Sequence, residues 1–350
     1  MKRKLQIIAF FAALFFLGSC RSDNEDIPDV SDIPVEFELT RTEGMIAKLD
    51  TNQANILAPL YETDSVFYSL FFEHILQVPF SRLSLEQKNT FIKGFISDSR
   101  IQRIQHEVDS VFNDFGLIED QLAEVFQYAK YYFPYKNTPD IYTYISEFTY
   151  QRFIFQNERN DAIALGLDMF LGENYPYTKY VPNNTSFSSY LTKNYKKENI
   201  ARNTAETLAE DWLSRDNVGE TLLEQMIFHG KKLYIINKLI PKEEEHTVMG
   251  FTPEQYQWCK NNEQEMWSYF LTEKLFYSTD INKISKLVSP SPHSAGMPPE
   301  APGRTANYMG WKIIEAFMKK NNYEAKEILS LDKFSAQQIL EMSKFKPKRR

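Results

Sequence analysis

The amino-acid sequence predicts a mainly helical α+β domain, with many helices and a small β-sheet. Through most of the chain, apolar residues recur every three or four positions, which is typical of amphipathic helices. Residues 140–167 instead hold short β-branched and aromatic runs between polar turns, which is typical of strands. The 350 residues, 43% of them hydrophobic and 15% aromatic, can bury a large core. We expect a single domain over residues 34–350.

The N-terminus predicts export and lipidation. Basic residues at positions 2–4 precede an apolar run at 5–16 that is short for a membrane span, as in a signal peptide over residues 1–19. The stretch Leu17-Gly18-Ser19-Cys20 resembles a bacterial lipobox. The resemblance implies that Cys20 becomes the lipidated N-terminus and that acyl chains attach the protein to a membrane. An uncleaved signal anchor is the alternative.

A polar, acidic and proline-broken segment follows at residues 20–33. We interpret it as a solvated tether between the lipid and the domain. An acidic run close behind an acylated cysteine also resembles the surface-export signal of Bacteroidota lipoproteins, although a plain linker explains it equally well. We therefore expect an outer-membrane location, on the periplasmic face or at the cell surface.

Charge and cysteine content exclude several classes of protein. Removal of the three basic residues at positions 2–4 takes Lys+Arg from 40 to 37 against 47 Asp+Glu, so the formal net charge changes from -7 to -10. This acidity argues against a nucleic-acid partner. The chain has two cysteines, Cys20 and Cys259, so acylation of Cys20 leaves one thiol and no intrachain disulfide.

The elements are predicted in chain order from these patterns. Alternating apolar and acidic residues predict an edge strand at 35–39, and the central sheet is predicted from strands at 140–146, 150–155 and 161–167. Helical spacing predicts helices at residues 45–49, 60–76, 84–97, 98–115, 118–133, 203–241, 253–275, 305–320 and 335–345. A tyrosine-rich loop at 172–183 follows the sheet. Its aromatic side chains Tyr175, Tyr177 and Tyr180 are candidates for binding a glycan or a peptide.

The helical segment 203–241 has the layout of a zinc-protease helix without its zinc ligands. Such a helix carries His-Glu-x-x-His, in which two histidines bind zinc and the glutamate is the general base. Here Glu224 is present, but Leu223 and Ile227 occupy the ligand positions. A register on His229 keeps one histidine and places Met226 at the base. We therefore predict no catalytic residue, and interpret the segment as an amphipathic core helix.

The remaining sequence offers no other reaction centre. No two histidines are one helical turn apart, and neither a Gly-x-Ser-x-Gly motif nor a glycine-rich phosphate loop occurs. We predict no cofactor. Arg304 follows a Pro/Ser/Gly-rich loop at 289–303 and precedes a helix with Thr305 as the candidate N-cap. Arg304 is predicted either to bind an anion or to pair with a carboxylate, and His229 is a second candidate for binding.

Several stretches, which follow one another in order along the chain, together resemble the gliding-motility lipoprotein GldB family. They are residues 163–172, 228–234, 239–241, 262–267, 277–280, 302–304 and 310–311. The resemblance implies a non-catalytic envelope lipoprotein, accessory to gliding motility or a related process, that acts through envelope protein partners.

The family in turn resembles, more distantly, a group of predicted zinc-dependent proteases. This second resemblance implies a zincin-like core with a degenerate metal site, and a third ligand on a later helix. Glu263 and Glu265 are the candidates for that ligand. The alternative is that both belong to a solvated helix face beside Trp258 and Trp267.

Three hypotheses about function follow. The first, which we favour, is a non-catalytic lipoprotein that works by protein contact. The second is a metallopeptidase with unusual ligands, and the third is a lipoprotein that binds a glycan or a peptide at the tyrosine-rich loop.

Overall fold

The structure is a computed structural model that describes residues 27–348. Cys20, the signal peptide and the first part of the predicted tether lie outside the described residues. The rest of the predicted tether contacts the domain. Val30 is buried, the Tyr128 hydroxyl donates to the carbonyl oxygen of Pro28 at 3.4 Å, and the Gln127 amide donates to that of Ile33 at 3.2 Å.

The sheet has four strands. They are β1 (Leu39–Arg41), β2 (Asp140–Tyr144), β3 (Arg152–Gln156) and β4 (Asp161–Gly166). Their order is β1-β2-β4-β3, with β1, β2 and β4 parallel and β3 antiparallel to β4. Strands β2, β3 and β4 confirm the prediction. The edge strand begins at Leu39, which pairs with Ile141, rather than at residue 35. Pro139 precedes β2 and has no N–H to donate, so pairing cannot extend far beyond this point.

The sheet separates two hydrophobic cores. Side chains of a strand alternate between the two faces, and both β2 and β4 are buried on both faces. Ile141, Ile163 and Leu165 face the larger core, which the C-terminal helices complete. Tyr142 and Ala164 face a smaller core formed with helices from the N-terminal part of the chain.

The N-terminal helices agree with the predicted pattern, with one break. They are α1 (Thr42–Ala47), α2 (Ala58–Thr63), α3 (Ser65–Leu70), α4 (Leu85–Ser97), α5 (Ser99–Val111) and α6 (Gly116–Tyr132). A π-helical turn, Phe71–Ile75, extends α3. The helix predicted at 60–76 is interrupted because Asp64 is extended and its carboxylate accepts the N–H groups of Val66 and Phe67.

The C-terminal helices form the larger part of the domain. They are α7 (Ser189–Thr192), α8 (Ile200–Trp212), α9 (Leu222–Leu239), α10 (Glu245–Met249), α11 (Pro253–Asn261), α12 (Glu263–Thr272), α13 (Ile281–Val288), α14 (Thr305–Lys320) and α15 (Ala336–Ser343). The segments predicted as one helix at 203–241 and at 253–275 are each two helices, α8 and α9 in the first and α11 and α12 in the second. The Asn262 side chain donates to the Trp258 carbonyl oxygen at 2.7 Å, which competes with the continuation of α11.

Short 3₁₀ turns connect several of these elements. They are Phe80–Arg82, Leu167–Phe170, Tyr177–Lys179, Thr185–Phe187, Lys197–Asn199 and Ala325–Lys333. Among residues 27–348, no helix combines the length and the apolar character that crossing a membrane requires.

Helices α9 and α14 cross at two glycines in the middle of the larger core. A Cβ atom at Gly310 would lie less than 3.0 Å from the carbonyl group of Met226, and one at Gly230 less than 3.0 Å from the carbonyl group of Gly310. Both obstacles are backbone atoms, so neither can move aside like a side chain. The two helix backbones are therefore in direct contact, and this contact fixes the position of α9.

Candidate functional site

Glu224, the general-base position of the zinc-protease layout, belongs to the N-terminus of α9. Its Oε2 accepts the N–H groups of Glu220 at 3.0 Å and of Thr221 at 2.9 Å, and the Thr221 hydroxyl at 2.8 Å. In return, Thr221 Oγ1 accepts the Glu224 N–H at 3.3 Å, which completes a capping box. The hydrogen bonds from Thr221 lower the pKa of the Glu224 carboxyl. The Glu224 carboxylate therefore caps the N-terminus of α9.

The neighbouring positions on α9 do not present ligands either. Leu223 is 1% exposed and Ile227 is 5% exposed, and both belong to the larger core. His229 is partly buried, and its Nδ1 has no hydrogen-bond partner in the part of the chain that the structure describes. Burial, followed by the nearby charges of Lys232 and Arg304, lowers the pKa of His229 to about 4. The imidazole is therefore neutral at neutral pH.

The two candidate carboxylates on α12 differ in their surroundings. Glu263 is buried, and it accepts the Tyr308 hydroxyl at 2.8 Å and the Lys348 backbone N–H at 2.9 Å. Glu265 is exposed to solvent. Across residues 27–348, no three His, Cys, Asp or Glu side chains are grouped so that they could hold a metal ion. Glu263 therefore fixes the C-terminal segment to α14.

The tyrosine-rich loop forms a compact aromatic cluster. The rings of Tyr175 and Tyr180 stack with their centroids 5.9 Å apart, and those of Tyr177 and Phe187 stack at 5.3 Å. Tyr177 is buried, and its hydroxyl accepts the Leu171 N–H at 3.1 Å and donates to the Tyr195 carbonyl oxygen at 3.2 Å. Tyr177 therefore positions the chain that leads into residues 193–195. Binding of a glycan or a peptide by this cluster stays a prediction.

An ion-pair cluster that the sequence analysis did not anticipate surrounds Glu206 on α8. Its carboxylate pairs with Arg202 at 2.6 Å, with Arg152 of β3 at 2.9 Å and with Lys232 of α9 at 3.1 Å. Glu210 pairs with Arg152 at 2.8 Å and with Lys232 at 3.2 Å. Burial alone would raise the pKa of Glu206, but the three cations outweigh it and hold the pKa well below its usual range. The cluster joins α8, α9 and the sheet.

Arg304 lies beside this cluster, at the start of α14. Its φ of 65° is left-handed, and it occupies the N-cap position without a side-chain cap. Thr305, the predicted N-cap, is instead the first helical residue, because its hydroxyl is hydrogen-bonded to the Ser294 hydroxyl at 2.7 Å. The Arg304 Nη2 donates to the Gly250 carbonyl oxygen at 3.2 Å, and the guanidinium lies 5.1 Å from the centre of the Phe251 ring.

A second cation, Lys193, faces the same pocket as Arg304. The pocket has a volume of about 70 Å³ and is lined by Tyr190, Leu191, Lys193, Asn194, Phe251, Gln255, Pro290, Ser291, Pro302, Gly303 and Arg304. Burial, followed by the charge of Arg304, lowers the pKa of Lys193 to about 8. Burial, followed by the charge of Arg202, lowers the pKa of Arg304 to about 10. The pocket therefore holds excess positive charge.

The structure brings only some of the predicted site residues together. His229 and Arg304 lie close enough for the charge of Arg304 to lower the pKa of His229, and both are near Glu206. Lys193, which completes the pocket, comes from a segment more than a hundred residues before Arg304. No motif in the sequence connects these two segments, so the sequence does not predict that Lys193 lies beside Arg304.

Comparison with known proteins gives one family. A family model described as gliding motility protein GldB matches residues 23–347. No curated protein and no solved structure matches the chain. The match spans most of the predicted tether, the sheet and all of the helices described above, which confirms the resemblance to this family; the more distant resemblance to zinc-dependent proteases is not shown by it. The chain belongs to the gliding motility protein GldB family, a family of lipoproteins.

Proposed function

We propose that the protein is a non-catalytic outer-membrane lipoprotein that supports gliding motility, or a related envelope process, through contacts with other envelope proteins. Acyl chains on Cys20 would attach it to the membrane. Family membership supports the lipoprotein and its place in the envelope. The acidic run behind Cys20 supports the outer membrane and, within it, the periplasmic face or the cell surface.

The observation that carries the non-catalytic role is the environment of Glu224. A general base in a zinc protease must be free to take a proton from a metal-bound water. In this chain, the Glu224 carboxylate accepts three hydrogen bonds at the start of its own helix, and the ligand positions Leu223 and Ile227 are buried in the core. A zincin-like core with a degenerate metal site stays part of the proposal. A metallopeptidase would need ligands from other segments.

Substitution of Glu224 tests the proposal. Glu224→Gln keeps an oxygen that can accept the capping hydrogen bonds, whereas Glu224→Ala removes it. We expect Glu224→Ala to lower the free energy of unfolding by about 1 kcal/mol and Glu224→Gln by less. A strain that lacks the protein is complemented with each variant, and colony spreading is measured. We expect wild-type spreading with both variants.

Two controls make the result interpretable. Cys20→Ala removes the lipidation site and should release the protein from the membrane fraction. Colony spreading should then be lost, which shows that the spreading assay responds to loss of the membrane attachment that the proposal requires. Membrane-fraction immunoblots of the Glu224 variants confirm that they are present and anchored. A Glu224→Gln protein that is folded and anchored but fails to restore spreading would overturn the non-catalytic role.

A further inference from the structure

Among the described residues, neither Lys193 nor Arg304 forms a direct ion pair, and the carboxylate whose charge acts on Arg304, that of Glu206, is shared with other cations. The ion pairs in the neighbourhood of their pocket belong to Arg152, Arg202 and Lys232, which share Glu206 and Glu210. Three cations against two carboxylates already leave a positive excess there. Lys193 donates to the neutral Gln255 amide oxygen, and Arg304 donates to a backbone carbonyl. Lys193 and Arg304 therefore add to this excess of positive charge.

Several donors converge on the rim of this pocket at Gly250. A Cβ atom built on Gly250 would lie 3.5 Å from Nη2 of Arg304, 3.6 Å from Nη2 of Arg202 and 3.6 Å from Nδ2 of Asn194. These three donors serve the end of α10, since Arg202 donates to the carbonyl oxygen of Val248, and Arg304 and Asn194 each donate to that of Gly250. Cations near the C-terminus of a helix are stabilising. Among the described residues, Lys193 donates to the Gln255 side chain and not to a carbonyl oxygen at the end of α10.

The backbone adds positive potential at the same place. Arg304 ends the loop that lines the pocket, and α14, with 16 residues, begins directly after it. The helix has no side-chain cap and no acidic residue in its first turn, so no side chain of that turn offsets the positive end of the helix dipole, although the Asn307 N–H donates to the Arg304 carbonyl oxygen at 3.0 Å. Arg304 also adopts a left-handed φ of 65°, which is unfavourable for a residue with a Cβ atom. A glycine would fit this backbone better, but it would lose the contacts of the Arg304 side chain with Gly250 and Phe251.

The size and lining of the pocket select the kind of group that fits. A volume of about 70 Å³ holds a few water-sized groups, since one water needs roughly 10–15 Å³ measured in this way. A carboxylate with its methylene group fits this space. The walls beside the cations are apolar, namely Leu191, Phe251, Pro290 and Pro302. They would pack against the aliphatic part of the same ligand.

We propose that this pocket binds a carboxylate side chain from an acidic segment of a partner protein. The inference rests on the proposed function, in which the protein acts by contact with envelope proteins. The planar guanidinium of Arg304, held against the Phe251 ring, presents its remaining N–H groups as a fork that matches a carboxylate. Lys193 supplies the second charge, and the amides of Asn194 and Gln255 are further polar groups in the lining.

The test measures peptide binding to the full-length lipidated protein in detergent. The probe is a fluorescein-labelled peptide of sequence Gly-Leu-Glu-Asp-Leu-Glu-Gly, and the reference is the same peptide with Gln and Asn in place of Glu and Asp. Fluorescence anisotropy gives the dissociation constants. We expect the wild-type protein to bind the acidic peptide and not the neutral one. Arg304→Met and Lys193→Met should each weaken binding at least about tenfold.

Matched variants separate the site from general charge effects. Lys93→Met makes the same change of net charge on an exposed position of α4 and should leave binding unchanged. Arg304→Lys keeps the charge but loses the fork, and should weaken binding less than Arg304→Met. Melting curves of all variants show whether each one folds. Lys193→Met, which leaves the backbone of α14 untouched, decides the outcome if Arg304→Met does not fold.

Three results would overturn the inference. Equal binding of the acidic and neutral peptides would exclude a carboxylate as the recognised group. Unchanged affinity in Lys193→Met would place the peptide elsewhere. Binding to phosphatidylglycerol vesicles that depends on both cations, without peptide binding, would assign the pocket to a lipid phosphate. None of these results bears on the Glu224 variants, so the proposed function and this inference can fail separately.

Discussion

Gly310→Ala is expected to destabilise the protein by more than about 3 kcal/mol and to prevent stable folding. The new Cβ would overlap the carbonyl group of Met226, which belongs to the backbone of α9. Relief requires the two helices to separate, and separation would open the larger core on both sides of the crossing. Gly230→Ala meets the Gly310 carbonyl group in the same way and should act similarly.

Urea unfolding followed by circular dichroism measures this effect. Gly94→Ala is the matched control, because Gly94 is in the interior of α4 and a Cβ there would meet nothing within 4 Å. The control should raise the free energy of unfolding by about 0.5–1 kcal/mol, since alanine favours a helix more than glycine does. A Gly310→Ala protein as stable as the wild type would show that α9 and α14 are not packed backbone to backbone.

Glu206→Gln should have the second-largest effect, a loss of about 3–5 kcal/mol. The substitution leaves the largely buried charges of Arg152, Arg202 and Lys232 without their shared partner. The folded protein lowers the pKa of Glu206, so this carboxylate contributes stability above its unfolded pKa of about 4.3. That contribution is lost as the pH falls through the folded-state pKa. The variant should therefore lose less stability than the wild type on acidification.

The same urea experiment, repeated at several pH values below neutrality, checks both expectations. Glu265→Gln is the control, because Glu265 is exposed and its loss should change stability by no more than about 0.5 kcal/mol. If Glu206→Gln unfolds at the same urea concentration as Glu265→Gln, the cations around Glu206 are solvated and the cluster does not hold α8 to α9.

Much of the fold could be predicted because local patterns decide it. Strands β2 and β3 stand out by their aromatic and β-branched residues, and the long helices by their apolar periodicity. The differences arise where a polar side chain competes for the backbone. Asp64 caps α3, Thr221 caps α9 and Asn262 binds a carbonyl of α11, so the helices predicted at 60–76, 203–241 and 253–275 are each split. Periodicity alone does not detect such competition, since apolar residues continue on both sides of the break.

The interpretation of Glu224 depended on which pattern was considered. Thr221-x-x-Glu224 is a capping-box sequence, and it is visible in the chain without the structure. The zinc-protease layout involves Leu223 and Ile227, whereas the capping box involves Thr221, three residues before Glu224. In contrast, the pocket at Lys193 and Arg304 could not be predicted. Its walls come from residues 190–194, 251–255 and 290–304, which only the packing of the helices brings together.

The stretches that resemble the family have identifiable structural roles. Gly230 and Gly310 form the helix crossing. Asp168, in the first stretch, is buried and accepts the N–H groups of Ser146 at 3.1 Å and Phe148 at 2.6 Å. These contacts hold a turn in which Phe148 has a φ of 62°. The stretches therefore maintain the fold, and Arg304 also faces the pocket.

The metal content of the full-length protein, purified without chelator, tests the non-catalytic account most directly. Inductively coupled plasma mass spectrometry gives the zinc per chain. We expect less than about a tenth of an equivalent, because Glu224 is used as a helix cap and aliphatic residues occupy the neighbouring ligand positions. About one equivalent of zinc, lost on substitution of Glu224, His229 or Glu263, would contradict the account and identify a metal site with unusual ligands.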